Sequence, residues 1–133
     1  MSRNASHTQI AKNNRVLVVE DEWLIADGIC HQLLKAGYRV VGPVPSVREA
    51  LSFIDEDEVD AALLDYRLND EDSRQIAEEL AAHDSPFAFL TGYDPREIEY
   101  CGKYPCLQKP ISTEMLLGMV DALLEKRVSR TSS

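Results

Sequence analysis

Apolar positions along this chain fall into two alternating patterns. Short continuous runs occur at Val16-Leu17-Val18-Val19, at Val59 to Leu64 (interrupted only by Asp60), and at Phe87-Ala88-Phe89-Leu90, with lesser ones at Val40-Val41 and Cys106-Leu107. Runs of this kind read as strands buried on both faces of a parallel sheet. Between them the apolar residues adopt helical spacing. Ile25, Ala26, Ile29, Cys30 and Leu33 predict a helix from about Glu22 to Ala36, closed by Gly37. Ser46 and Glu49 form a capping box that starts a second helix through Val47, Ala50, Leu51 and Ile54. Asp72 or Ser73 caps a third through Ile76, Ala77, Leu80 and Ala81, and Ser112 caps the last, with Leu116, Met119, Val120 and Leu123 inward. Gly42-Pro43 closes the second strand. Between Pro95 and Pro105 only Ile98 and Cys101 offer an apolar pair, so any helix there is one or two turns long.

Strands alternating with helices in this way predict an α/β fold, a doubly wound five-stranded parallel sheet with right-handed crossovers. The 133 residues suit one domain, spanning 15–127, between a flexible N-terminal tail (1–14) and a flexible C-terminal tail (128–133). With 44% hydrophobic and 28% charged residues, the composition is that of a soluble globular protein.

Charge narrows the partners. A net charge of −9 argues against nucleic acid, which needs a basic face. No apolar run reaches bilayer-spanning length, and residues 1–14 lack the apolar stretch of a signal peptide, so a cytoplasmic protein without membrane contact is expected. Cys30, Cys101 and Cys106 are odd in number and lack CxxC spacing, which predicts reduced, mostly buried thiols. His7, His31 and His83 form no metal-ligand pattern along the chain.

Candidate chemistry gathers at the strand ends. The first strand runs into Glu20-Asp21, the third into Asp65, the fourth into Thr91 and the fifth into Lys109. In a parallel sheet these ends share one edge, where open α/β folds bind ligands. Two carboxylates about 4 Å apart repel by roughly 4 kcal/mol at an effective dielectric near 20. A bound cation or raised pKa values must relieve that repulsion. Oxygen-only ligands select a hard ion such as Mg²⁺. A divalent ion beside a carboxylate, a hydroxyl and a lysine supplies the parts that neutralise a transferring phosphoryl group, with Asp65 as a candidate nucleophile. Trp23, next to the acids, either rims this pocket or is an ordinary partly buried aromatic.

Glu20-Asp21, Asp65, Thr91 and Lys109-Pro110, each at the end of its own strand, resemble the receiver domain of two-component response regulators. The resemblance extends over about residues 15 to 127. Phe87-Ala88-Phe89-Leu90-Thr91-Gly92-Tyr93 is also similar to the Phe-Ala-Thr-Gly-x-Tyr signature of the "FATGUY" group, often stand-alone receivers. The resemblance implies a CheY-like (βα)5 flavodoxin-like fold with strand order 2-1-3-4-5. It implies that Asp65 accepts a phosphoryl group from a sensor histidine kinase, of HWE or related type. Asp21, Asp65 and the backbone carbonyl of Arg67 would ligate Mg²⁺ (or Mn²⁺), with Glu20 helping through water. Thr91 and Lys109 would contact the phosphoryl group, and Lys109-Pro110 would be cis. The signal would pass through protein contacts, to a histidine phosphotransfer or effector protein, with slow autodephosphorylation and no other enzymatic turnover. Many such domains carry an aromatic switch residue three positions before the lysine. That position is Cys106 here, so ordering of the loop from Thr91 to Tyr104, or Tyr93 or Tyr104 as substitute, stands in as the expected switch.

Other readings fit less well. Phosphatases working through an aspartyl phosphate usually carry a second acid two residues after the nucleophile, where this chain has Arg67. A flavodoxin-like FMN site needs a Ser/Thr/Gly-rich phosphate loop where Glu20-Asp21-Glu22 stand, and those acids repel phosphate. A degenerate receiver that only binds partners would not need the intact acid, threonine and lysine set.

Overall fold

The computed structural model describes residues 14–56, 58–68 and 71–132. The expected N-terminal tail, Asn14 apart, lies outside the described residues. Among the described residues seven strands, β1 (Arg15–Val19), β2 (Arg39–Val44), β3 (Ala61–Asp65), β4 (Arg67–Leu68), β5 (Glu71–Asp72), β6 (Phe87–Thr91) and β7 (Cys106–Gln108), are interspersed with four α-helices. These are α1 (Trp23–Lys35), α2 (Val47–Asp55), α3 (Arg74–Ala82) and α4 (Thr113–Ser132). Five strands form one parallel sheet in the order β2-β1-β3-β6-β7. Taken by themselves these five have the expected 2-1-3-4-5 succession. The additional pair, β4 and β5, is a small antiparallel ladder joining Arg67 to Asp72 and Leu68 to Glu71.

Period-2 alternation splits each buried strand between two cores. Val16 and Val18 of β1 and Leu63 of β3 face Ile29 and Leu33 of α1 and Leu116 and Val120 of α4. Leu17, Val19, Ala62 and Leu64 face the other side, against Ile54 of α2 and Ile76 and Leu80 of α3. All five β3 residues are buried, as a central strand covered on both faces requires. Each fully buried Leu or Val there contributes about 1.5–3 kcal/mol of transfer free energy.

The helix ends follow from local chemistry. Ser46 Oγ accepts from Glu49 N at 3.3 Å and donates to Glu49 Oε2 at 3.1 Å, the capping box of α2. Ser112 Oγ accepts from Met115 N at 3.1 Å at the start of α4. Gly37 ends α1 at φ +98°, where a side chain would be strained.

Three expectations need correction. β2 does not stop at Val41 but runs through Gly42-Pro43 to Val44, its register shifting between the Leu17 and Val19 partners. Gly42 sits at φ +101° with its Cα packed close to Val18 and Val44, a backbone position only glycine fills readily. Ser73 stands at the N-terminus of α3, but its hydroxyl makes no cap bond and donates to Tyr66 O at 3.3 Å, closing the loop after Asp65. Between β6 and β7 the chain makes only two 3-10 turns, Pro95–Glu97 and Glu99–Gly102, the short element expected from its few apolar residues. The last helix continues to Ser132, past the boundary at 127, because nothing in Val128 to Ser132 breaks it.

Candidate functional site

The sheet register brings the candidate residues together. β1 pairs with β3 so that Val19 lies opposite Leu64, and β3 pairs with β6 so that Asp65 lies opposite Leu90. β6 pairs with β7 so that Thr91 lies opposite Gln108. The residues that follow Val19, Leu64, Leu90 and Gln108 therefore emerge at one edge. Backbone bonds carry the ladder one step further: Glu20 N donates to Val44 O at 3.1 Å, Tyr66 N to Leu90 O at 2.8 Å and Lys109 N to Thr91 O at 2.7 Å. These bonds fix the chain on which Glu20, Asp65 and Lys109 project. The peptide between Lys109 and Pro110 is cis, and so is that between Gly42 and Pro43.

Glu20, Asp65 and Thr91 are buried, at 2%, 7% and 1% exposure, which is unusual for two acids placed side by side. Glu20, Asp21 and Asp65 bring carboxylate oxygens within 4.8 Å of one another. Lys109 Nζ lies 2.9 Å from Glu20 Oε1 and 3.3 Å from Asp65 Oδ1, so one ammonium bridges two buried acids. The second Glu20 oxygen accepts from Glu22 N at 3.1 Å, at the amide-rich start of α1. Thr91 Oγ1 accepts from Tyr93 N at 2.9 Å, which leaves the hydroxyl proton available for a ligand. Arg67 follows on the exposed side of β4, whose pairing with β5 holds the backbone just beyond Asp65.

Burial, followed by the charge of Glu20, pushes the Asp65 carboxyl up to about 7, with Lys109 working in the opposite direction. For Lys109, burial acts to lower the ammonium's pKa. The hydrogen bond to Glu20 and the charges of Asp65 and Glu20 outweigh it and hold Lys109 above the ordinary lysine value. The repulsion expected among these acids is thus present, and one lysine does not remove it. Three carboxylates face one ammonium, a set of hard oxygen donors whose excess charge a divalent cation such as Mg²⁺ would balance.

Other expected residues fall elsewhere. Trp23 is 73% exposed at the first position of α1, which excludes the partly buried alternative. The cysteine expectation fails for two of the three residues. Cys30 is a free, buried thiol as predicted, but Cys101 and Cys106 form a disulfide. The second 3-10 turn and the entry into β7 bring their Cα atoms to 5.6 Å, within bridging range. Cys106 is accordingly half-buried, not fully buried. A second group was invisible from the spacing of histidines alone. His83 Nε2 lies 3.5 Å from Glu79 Oε2 and 4.0 Å from Asp55 Oδ1, and only the Glu79 to His83 interval of one helical turn signals it.

Comparison with known proteins agrees with this geometry. The profile of the response regulator receiver domain family matches residues 16–121. A solution structure of SdrG from Sphingomonas melonis Fr1 is 37% identical and superposes with a TM-score of 0.74, covering 85% of this chain and 98% of SdrG. The BeF3-activated conformation of SdrG from Pseudomonas melonis Fr1 is 36% identical, with a TM-score of 0.73, covering 83% and 95% of the two chains. The transcriptional regulatory protein PdtaR of two Mycobacterium tuberculosis strains is 25% identical over 131 residues, 95% of this chain. The chain spans 64% of the length of that relative.

Proposed function

The chain belongs to the response regulator receiver domain family, and from that premise we propose that it accepts a phosphoryl group on Asp65 from the phosphohistidine of a sensor histidine kinase. The observation that carries the reading is the gathering of Glu20, Asp21 and Asp65 with Lys109 and Thr91 at one sheet edge. In the transfer, an Asp65 oxygen forms the bond to phosphorus as the bond between phosphorus and the donor imidazole nitrogen breaks. The Lys109 ammonium, already 3.3 Å from Asp65 Oδ1, pairs with the phosphoryl oxygens as they arrive. The Thr91 hydroxyl donates a hydrogen bond to the same group while its oxygen accepts from Tyr93 N. Asp21 and Asp65, with the Arg67 carbonyl, would hold Mg²⁺ (or Mn²⁺), and Glu20 would assist through water. That ion supplies the positive charge that phosphoryl oxygens need beside three carboxylates.

Phosphorylation adds about −1.5 to −2 charge to an edge that is already acidic, and its consequences pass to a partner through protein contacts. The BeF3-activated conformation described for SdrG supports this reading by kinship. Arg67, exposed where a phosphatase would place its second acid, disfavours continuous turnover. No helix among the described residues is long and apolar enough to cross a membrane, which is consistent with the proposed cytoplasmic location.

Incubation with acetyl phosphate and Mg²⁺, followed by intact mass, tests the proposal. One added phosphoryl group, absent from Asp65→Asn and abolished by chelation of the metal, is the expected result. Continuous hydrolysis of phosphomonoesters overturns it in favour of a phosphatase. Wild-type protein that neither gains mass nor binds Mg²⁺ overturns it in favour of a partner-binding module.

A further inference from the structure

We propose that Cys101 and Cys106 are a reversible dithiol–disulfide modification site, whose state governs how firmly the 92–105 segment is held against β6 and β7. The effect on the acceptor site rests on the phosphoacceptor reading above; the redox site itself does not.

The segment is tied down at few points. Among its described residues only Ile98 is buried. Tyr104 meets Phe87 at a tilt and Phe89 edge-to-face, with ring centroids 5.0 and 6.1 Å away, but remains exposed. Beside it a solvent-open pocket of about 100 Å³ is lined by Arg74, Ala77, Glu78, Phe89, Lys103 and Tyr104. The covalent link from the second 3-10 turn to β7 is therefore a principal restraint. Spanning only five residues of sequence, it removes little entropy from the unfolded chain, so its effect is local.

Both ends of the segment reach the candidate site. At its start Tyr93 N donates to Thr91 Oγ1 at 2.9 Å. At its end Phe89 N donates to Pro105 O at 2.9 Å, and Cys106, paired with Phe89 on β7, stands three residues before Lys109. A change in the hold on Tyr104 thus bears on both Thr91 and the strand that carries Lys109.

The chemistry is selective. Cys101 and Cys106 are each partly exposed, so a small dithiol reaches them. Its thiolate attacks one sulfur to give a mixed disulfide, and its second thiolate displaces the protein sulfur. The dithiol leaves as a cyclic disulfide, and the two cysteines take up two electrons and two protons. Cys30 takes no part: burial, then the charge of Asp27, pushes its thiol up to about 11, and it lies on α1 in the core.

The test uses the full chain in its disulfide and dithiol forms, prepared with oxidised glutathione and with dithiothreitol. Alkylation after denaturation should count one free thiol in the first form and three in the second. Amide hydrogen exchange over residues 95–104 should be about tenfold faster in the reduced protein than in the oxidised one. Cys101→Ser and Cys106→Ser should each exchange like the reduced form whatever the redox buffer. Failure of oxidised glutathione to close the bond, or equal exchange in both forms, overturns the redox site. The acetyl phosphate reaction is then run on both forms. A change of rate on reduction in wild type, absent in Cys101→Ser, supports the link to Asp65. Redox-dependent exchange without phosphorylation in either form upholds the redox site and overturns the phosphoacceptor reading alone.

Discussion

Replacing Asp65 by asparagine is expected to stabilise the metal-free protein above pH 7, although the change removes a buried partner of Lys109. Asp65 lies beside Glu20 with little exposure, and its carboxyl is pushed up from 3.8 to about 7, chiefly by burial and then by the Glu20 charge. At about 1.4 kcal/mol per pKa unit, forcing it to ionise costs at most about 4 kcal/mol of folding stability. That figure already contains the opposing pull of Lys109, 3.3 Å away, and solvent relaxation around the site reduces it further, while Lys109 keeps Glu20 at 2.9 Å in the variant. A net stabilisation of about 1–3 kcal/mol remains. The sign follows from linkage. The native state binds the Asp65 proton more tightly than the unfolded chain does, so stability falls as pH rises from about 4 to about 7, then levels. Urea unfolding of both proteins with a chelator, at steps from pH 4 to pH 8, should give a difference near zero at the acid end that grows to a plateau above pH 7. Saturating Mg²⁺ should shrink that difference. A difference independent of pH, or a variant less stable than wild type at pH 8, would refute the reasoning.

Asp21→Asn removes one of the three clustered carboxylates and should weaken Mg²⁺ binding by about tenfold or more. Fluorescence of Trp23, two residues away and exposed, is a direct reporter, and unaltered affinity would exclude Asp21 as a ligand. Asp60→Ala should cost about 2–4 kcal/mol in urea unfolding, because it strips the partner from a bonded network. In that network Asp60 accepts from Arg15 N at 2.7 Å, Nε at 3.0 Å and Nη2 at 3.0 Å. A loss below about 0.5 kcal/mol, the range of ordinary surface substitutions, would show that the network contributes nothing special. Gly42→Ala places a Cβ 2.8 Å from Val44 N and 3.0 Å from Val18 O at φ +101°, so a clear drop in melting temperature is expected. The cost should exceed the roughly 1 kcal/mol of an ordinary glycine position, and an unchanged melting curve would contradict it.

Much of this protein is legible along the chain. Val16 to Val19, Ala61 to Leu64 and Phe87 to Leu90 are continuous apolar runs, and such runs form strands wherever both faces are covered. The Ser46–Glu49 cap and the Gly37 terminus act through bonds between near neighbours, so they too can be read without a fold. The position of Asp65 at a strand end needs only the boundary between Leu64 and Tyr66, and the family resemblance then gathers Glu20, Asp21, Thr91 and Lys109 around it.

Other features depend on groups far apart in sequence. That Lys109 bridges Glu20 and Asp65, and that Asp65 holds its proton to about pH 7, follows from the register of four strands and the burial it imposes. β2 crosses Gly42-Pro43 because Val44 pairs with Val19, a bond to a distant strand that outweighs the local turn signal. His83 finds Asp55 only because α2 and α3 pack on the same sheet face. Cys101 and Cys106 meet because two tight turns, not a helix, fill the space between β6 and β7. Short-range pattern determines which residues form strands, helices and caps, since those choices are settled within a few residues. Pairing and desolvation decide which charges share a pocket, and they exist only once the sheet has closed its register.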